Sequence, residues 1–180
     1  MQESFQINTP RLVLREIQMN DDAQILSAMA CPEIAAMHSG GFSDLAAVQR
    51  YIAVLVQEYA DNKYRTLAIA EQSENLLIGT ITIDIHKFFP RAELGYWIAM
   101  PYRNKGYASE AVKAVIEYGI GTLDLGRIQA THHAGNEASG RVLKKAGMTF
   151  EGTLRRYYEM NGFFTDECMY SFIKSDLDGE

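Results

Sequence analysis

The sequence predicts an α/β domain, one mixed central sheet with helices on both faces. Three observations carry this. Runs of alternating apolar and polar residues interleave with runs at the 3.6-residue helix period. A strand–helix–strand unit at the centre, residues 92–99, 109–121 and 127–131, has to close as a parallel, right-handed crossover. Two final strands meet at Asn161-Gly162, a strong hairpin signal, so the flanking parts of the sheet run antiparallel.

Each element follows from its residues. Arg11-Leu12-Val13-Leu14-Arg15 alternates and predicts an opening strand. Asn20 or Asp21 caps a helix that runs toward Cys31, where Pro32 follows. Ser43 or Asp44 starts a second helix through Ala60, with Val48, Ile52, Leu55, Val56 and Tyr59 on one face. Strands are predicted at 66–70 and 77–85, joined by a turn at Ser73-Glu74-Asn75. The helix at 109–121 turns Ala111, Val112, Val115 and Ile116 inward. Asn136 or Glu137 opens a helix to Ala146, and Gly147 stops it. The last two strands run over about 148–158 and 163–173.

The 180 residues are expected to form one domain, 1–180, with its core at about 9–173. The apolar fraction is 47% and the charged fraction 22%, as in an ordinary globular chain. The formal net charge of −6 argues against nucleic acid as a partner, which needs clustered Lys and Arg. Cys31 and Cys168 lie far apart and form neither a metal-ligand pair nor a disulfide framework. The first residues show no secretory-leader pattern, and no apolar run is long enough for a bilayer. A cytoplasmic protein without a membrane partner is the expectation.

The most informative segment joins the central strand to its helix: Tyr102-Arg103-Asn104-Lys105-Gly106-Tyr107-Ala108. Backbone N–H groups at a helix start have no intrahelical partner, and the helix dipole favours an anion there. Such a junction suits a diphosphate. Gly106 permits close backbone approach, while Arg103 and Lys105 add positive charge.

Arg103–Ala108 resembles the R-x-x-G-x-A acetyl-CoA loop of the GNAT N-acetyltransferases. The run from Asn136 through Ser139, Leu143, Lys145 and Gly147 to Met148 resembles their N-x-x-S-x-x-x-L-x-K-x-G-F segment, with Met148 in place of the usual Phe. The opening Thr9-Pro10-Arg11-Leu12 and the closing Asn161-Gly162 with Asp166 are similar to the branch of RimJ and RimL, the ribosomal-protein N-terminal acetyltransferases. The similarity spans about Thr9 to Ile173. It implies a single-domain GNAT (acyl-CoA N-acyltransferase) fold, acetyl-CoA as cosubstrate and a primary amine as acceptor.

Particular residues acquire expected roles by that resemblance. Arg103, Asn104, Lys105, Gly106, Tyr107 and Ala108 hold the diphosphate. The strand at Tyr96-Trp97-Ile98 splays from the strand near Ile128, and the pantetheine arm lies in the gap against the backbone, Ile98 included. Asn136 caps its helix and touches the cofactor arm. Ser139 donates to the departing thiolate; the plain alternative is a helix-start serine bonding its own backbone.

Glu93 is the candidate base, directly or through water, with a structural ion pair as the alternative. RimL-like enzymes use a glutamate in the last hairpin. Here Tyr158 occupies that register and Glu159 sits one position away, so Glu159 serves only if a bulge restores its direction. His132 and His133 border the site, but no ligand set for a metal accompanies them. His38-Ser39-Gly40-Gly41 reads as a flexible joint on the acceptor side. The aromatic set Phe88, Phe89, Tyr157, Tyr158, Phe163 and Phe164 is expected to contribute partly to the core; the rest would line an acceptor pocket or a homodimer surface.

Three functions stay open at this stage. One is transfer to a protein N-terminal α-amine by direct attack in a ternary complex, since neither cysteine falls in a catalytic segment. Another is transfer to small amines such as polyamines, amino-acid analogues or drugs, for which Glu33, Asp44 and Glu93 are the acidic candidates. The last is a catalytically weak acyl-CoA-binding sensor.

Overall fold

The computed structural model describes residues 5–38, 41–61, 64–160 and 162–177. Eight strands form one sheet in the order β1-β2-β3-β4-β5-β6-β8-β7. They are β1 (Gln6–Asn8), β2 (Leu12–Glu16), β3 (Tyr64–Glu71), β4 (Leu76–Ile85), β5 (Arg91–Ile98), β6 (Arg127–His133), β7 (Thr149–Met160) and β8 (Phe163–Ile173). Five α-helices accompany them: α1 (Asp22–Ala28), α2 (Pro32–Met37), α3 (Leu45–Asp61), α4 (Tyr107–Gly121) and α5 (Glu137–Lys145). Among the described residues only β5 and β6 pair in parallel, across the α4 crossover, as the sequence requires.

The alternation of side chains along each strand divides the interior in two. On one face, Leu12, Leu14, Ile69, Ile81, Leu94 and their neighbours pack against α4 and α5. On the other, Ala68, Leu77 and Trp97 pack against Ile25, Ile34, Val48, Ile52 and Leu55 of α1 to α3. Successive residues of β5 therefore serve different layers: Leu94, Tyr96 and Ile98 face α4 and α5, while Trp97 faces α3.

The N-terminal third departs from expectation in four ways. A short strand, β1, precedes the expected one and pairs with it. Pro32 does not close off a helical region; it occupies the first turn of a separate helix, α2, where its missing N–H costs nothing. Asp21 is not a side-chain cap of α1. It is 3% exposed and paired with Arg15, itself 6% exposed, through bonds of 2.8 and 2.9 Å. Val56 is exposed, because at 100° per residue it lies at the edge of the stripe formed by Val48, Ile52, Leu55 and Tyr59. Asp44 does cap α3, its Oδ1 accepting from Ala47 N at 2.8 Å.

The aromatic expectation also changes. Phe88, Phe89, Tyr157, Tyr158, Phe163 and Phe164 are all exposed, so none belongs to the core. They sit at the β4–β5 loop and the far end of the β7–β8 hairpin, beyond the reach of the helices. Asn161 of that hairpin lies outside the described residues, as do Ser39 and Gly40; Gly162 has φ +81°.

The Arg15–Asp21 pair is tied further to the turn after β3, where Arg15 Nε donates to Asn75 Oδ1 at 2.7 Å. Removing one charge strands the other in the interior. Asp21→Ala is expected to lower stability by about 3–5 kcal/mol, read as a shift of the urea midpoint. An unchanged midpoint would show the pair to be dispensable.

Candidate active site

The site is built on the point where β5 and β6 part. Their parallel pairing runs from Arg91↔Arg127 to Leu94↔Ala130 and stops. Beyond it β5 stays paired with β4 as far as Ile98↔Gly79, and β6 stays paired with β8 as far as His133↔Glu167. A gap opens between residues 95–98 and 131–133. It begins later than the sequence suggested, since Ile128 is still paired with Ala92.

At the mouth of this gap lies the basic turn. Asn104 and Gly106 adopt φ +62° and +83°, and α4 starts directly after Gly106. Asparagine and glycine are the residues that take this conformation at least cost. The unpaired N–H groups of the first α4 turn thus face outward from a tight turn.

The turn is clamped from β2's approach segment. Arg11 Nη1 donates to the Lys105 carbonyl at 2.9 Å, and Arg11 Nη2 meets Glu110 Oε2 at 2.6 Å. Thr9 Oγ1 and Arg11 N both donate to Glu110 Oε1, at 2.7 and 2.9 Å. Burial works to raise the Glu110 pKa. The hydrogen bonds from Thr9 and Arg11, with the guanidinium charge, outweigh it and hold the carboxyl below the usual range. The Arg11 guanidinium also lies over the Tyr107 ring at 4.6 Å.

Arg103 is oriented differently from the sequence reading. Its Nε donates to the Ile98 carbonyl at 3.0 Å and its Nη1 pairs with Glu33 Oε2 at 2.9 Å. This guanidinium braces the end of β5 against α2, and Glu33 is spent on it. The turn therefore presents the backbone N–H groups at the start of α4, with Lys105 exposed beside them. Arg11, read from sequence only as part of the opening strand and motif, is the cation that reaches the turn, 94 residues before Lys105 in the chain.

Across the gap, Ser139 lies in the first turn of α5. Asn136 caps that helix, its Oδ1 accepting from Ser139 N at 3.2 Å. Ser139 Oγ lies 2.8 Å from Tyr96 Oη, so the serine hydroxyl bonds a phenol from β5. Burial pushes the Tyr96 pKa up to about 12, against the opposing effect of the Ser139 bond.

On the α3 side of β4 and β5 a cleft of about 550 Å³ opens. Its floor comprises Thr80, Thr82 and Asp84 of β4 with Glu93, Gly95 and Trp97 of β5; Val54, Leu55 and Glu58 of α3 form a wall. A side chain at Gly95 would meet open space, so this glycine leaves the floor clear. Three carboxylates line the cleft: Glu58, Asp84 and Glu93. Glu93 and Asp84 are direct cross-strand partners, and Gln129 Nε2 donates to Glu93 Oε2 at 3.3 Å. His38 lines the same cleft, and burial lowers its pKa, which keeps the ring neutral. Asp44, named from sequence as an acidic candidate, is committed to its helix cap instead.

In the last hairpin Tyr158 pairs with Thr165 and Glu159 with Phe164, and neither is among the residues lining the cleft. Extra residues between Leu154 and Tyr158 form a bulge, with Arg156 at φ +52°. Burial raises the Tyr158 pKa, and the charge of Glu93 raises it further. Glu159 is exposed and pairs with Phe164, so the bulge does not restore its direction. His132 is buried, bonded through Nδ1 to the His133 carbonyl and stacked on Tyr170. His133 is bonded to the buried Glu167. Among the described residues no three His, Cys, Asp or Glu side chains gather as a metal site.

Comparison with known proteins agrees with this fold. Residues 11–149 match the family model of the acetyltransferase (GNAT) domain. An uncharacterized N-acetyltransferase of Bacillus subtilis strain 168, YoaA, is 32% identical over 172 residues, 93% of this chain and 96% of YoaA. A GNAT-family acetyltransferase from Bacillus anthracis superimposes with a TM-score of 0.81 at 26% identity, covering 95% of this chain and 99% of its own. RimL, the ribosomal L7/L12 α-N-protein acetyltransferase in complex with coenzyme A, superimposes with a TM-score of 0.80 at 18% identity, covering 94% and 98%. Among the described residues no helix is long and apolar enough to cross a membrane.

Gly106→Asp adds a carboxylate at a left-handed position facing the helix N-terminus. Coenzyme A affinity is expected to fall by about tenfold or more, from strain and charge together. Isothermal titration checks this; affinity equal to the parent would show that the turn does not hold the diphosphate.

Proposed function

Since the chain belongs to the GNAT acetyltransferase family and is an acetyl-CoA-dependent N-acetyltransferase, we propose that its acceptor is a protein N-terminal α-amine that enters the acidic cleft beside β5. The observation that carries this is the cleft itself. It lies on the opposite face of β5 from α5, it is open, and its polar lining includes Glu58, Asp84 and Glu93. An amine in water is an ammonium ion, and a carboxylate-lined cleft draws it in. The likeness to RimL, an α-N-protein acetyltransferase, favours a peptide end over a free metabolite.

The residues divide the work as follows. The N–H groups of the turn at Asn104, Lys105, Gly106, Tyr107 and Ala108 hold the diphosphate, with the Arg11–Glu110 clamp keeping the turn in shape. Arg103 fixes the end of β5 at Ile98, where the pantetheine arm runs. Acetyl-CoA supplies an acetyl group activated as a thioester. Glu93 removes a proton from the ammonium, directly or through water, so that the nitrogen lone pair is free to attack. Ser139 donates a hydrogen bond to the sulfur as it leaves. Attack is direct, within a ternary complex. Cys31 contacts Arg103 and Cys168 lies on β8 opposite His132, so neither thiol lines the cleft.

A second reading has its own support. Asp84 and Glu93 face one another across an antiparallel pair, and like charges so placed repel. An acceptor with two ammonium groups, a small polyamine, would relieve that repulsion as well as react.

The two readings separate in one assay. Thiol release from acetyl-CoA is followed with short peptides bearing free N-termini, the same peptides blocked at the N-terminus, and a series of mono- and diamines. Turnover of free but not blocked peptides is the expected result; turnover of diamines alone would replace it with the second reading. Glu93→Gln is expected to lower kcat/KM by about 10²-fold or more while coenzyme A binding persists. Full activity in that variant would remove Glu93 as the base.

A further inference from the structure

The family resemblance gives the strand around Tyr96 a backbone role beside the cofactor arm and its side chain none, yet the Tyr96 hydroxyl lies 2.8 Å from the Ser139 hydroxyl. We propose that Tyr96 is a positioning residue for Ser139, its phenol donating to Ser139 Oγ across the gap so that the serine O–H turns toward the departing sulfur. The inference rests on the role given to Ser139 above.

The physical argument concerns direction. A serine hydroxyl has one hydrogen and rotates freely to suit its partners. If it donated to Tyr96, it would have nothing left for the sulfur. Two features oppose that arrangement. The phenol stays protonated through neutral and mildly alkaline pH, its pKa pushed up to about 12 by burial, so it always carries a hydrogen to give. Ser139 offers it two acceptors on the same side, Oγ at 2.8 Å and the backbone carbonyl at 3.4 Å. With the phenol donating, Oγ accepts on one side and its own hydrogen is directed to another. A thiolate is a charged acceptor and captures that hydrogen more strongly than a neutral oxygen would.

Both groups are held in place. Tyr96 sits on β5, whose pairing with β4 continues through Tyr96↔Ile81. Ser139 is fixed by the Asn136 cap. The contact thus bridges the two elements that part at the gap, with each end on a rigid support. In the reaction the C–N bond forms as the C–S bond breaks. Glu93, having passed the ammonium proton to water before attack, takes the second proton that the nitrogen loses as it becomes an amide, and the sulfur leaves as a thiolate hydrogen-bonded to Ser139. Tyr96 transfers no proton; it supplies orientation only.

The test is a double-mutant cycle of Tyr96→Phe and Ser139→Ala, with kcat, KM for acetyl-CoA, coenzyme A affinity and Tm measured for each. Tyr96→Phe keeps the ring and removes only the oxygen. It is expected to lower kcat about fivefold to tenfold, to leave KM and coenzyme A affinity within about twofold, and to have no further effect once Ser139 is alanine. An undiminished kcat in Tyr96→Phe, or an equal loss in the Ser139→Ala background, would overturn the positioning role. A loss of affinity and Tm with kcat unchanged would also overturn it, marking the bond as packing. If Ser139→Ala alone leaves kcat intact, the serine's own role fails, a result distinct from failure of Tyr96.

Discussion

The parting of β5 and β6 after Leu94↔Ala130 is the constraint on which the site depends. A strand that loses its neighbour leaves backbone donors and acceptors without partners, and these demand satisfaction. Here the parting is stabilised from both ends. Arg103 takes the Ile98 carbonyl at the end of β5, and β6 remains bonded to β8 as far as His133. The rest of the gap is the natural seat for an extended arm with amides of its own. The turn lies at its mouth, with Ser139 on one side and Glu93 on the other.

The turn shows how charge can act at one remove. Arg103 and Arg11 both surround it, but each is paired with a carboxylate, Glu33 and Glu110. Exposed ion pairs of this kind contribute little to overall stability. Their value here is geometric. Arg11 gathers Lys105, Tyr107 and Glu110 through one guanidinium, whose planar fork suits several partners at once. The helix start that results presents its N–H groups in a fixed direction, which is what binding a diphosphate requires.

The alternation of β5 supplies the second half of the chemistry. Because Tyr96 and Trp97 point to opposite layers, one strand serves the Ser139 side and the cleft side together. Glu93 and Gly95 share the cleft face with Trp97. The acidic lining and the open floor are therefore consequences of strand register; a slip of one residue would exchange the two faces.

The order of strands and helices through the central crossover, the caps at Asp44 and Asn136, and the helix start after Gly106 were legible in the sequence, because each depends on neighbours within a few residues. The tight basic turn before α4 and the place of Ser139 in the first turn of α5 were legible for the same reason. The contacts of Arg11, Asp84 and Tyr96 were not, since their partners come from other strands and helices. The destination of Arg103 and Glu33, which read as charges for a ligand and proved to hold each other, was equally hidden. So was the split of Asp21 from its expected cap into a buried pair with Arg15. Local pattern determined the elements and the tight turn before α4. Only the packing of the sheet decided which charges cancel and which face the cleft, because an ion pair or a shared pocket is a matter of distance in space, and sequence separation does not encode it.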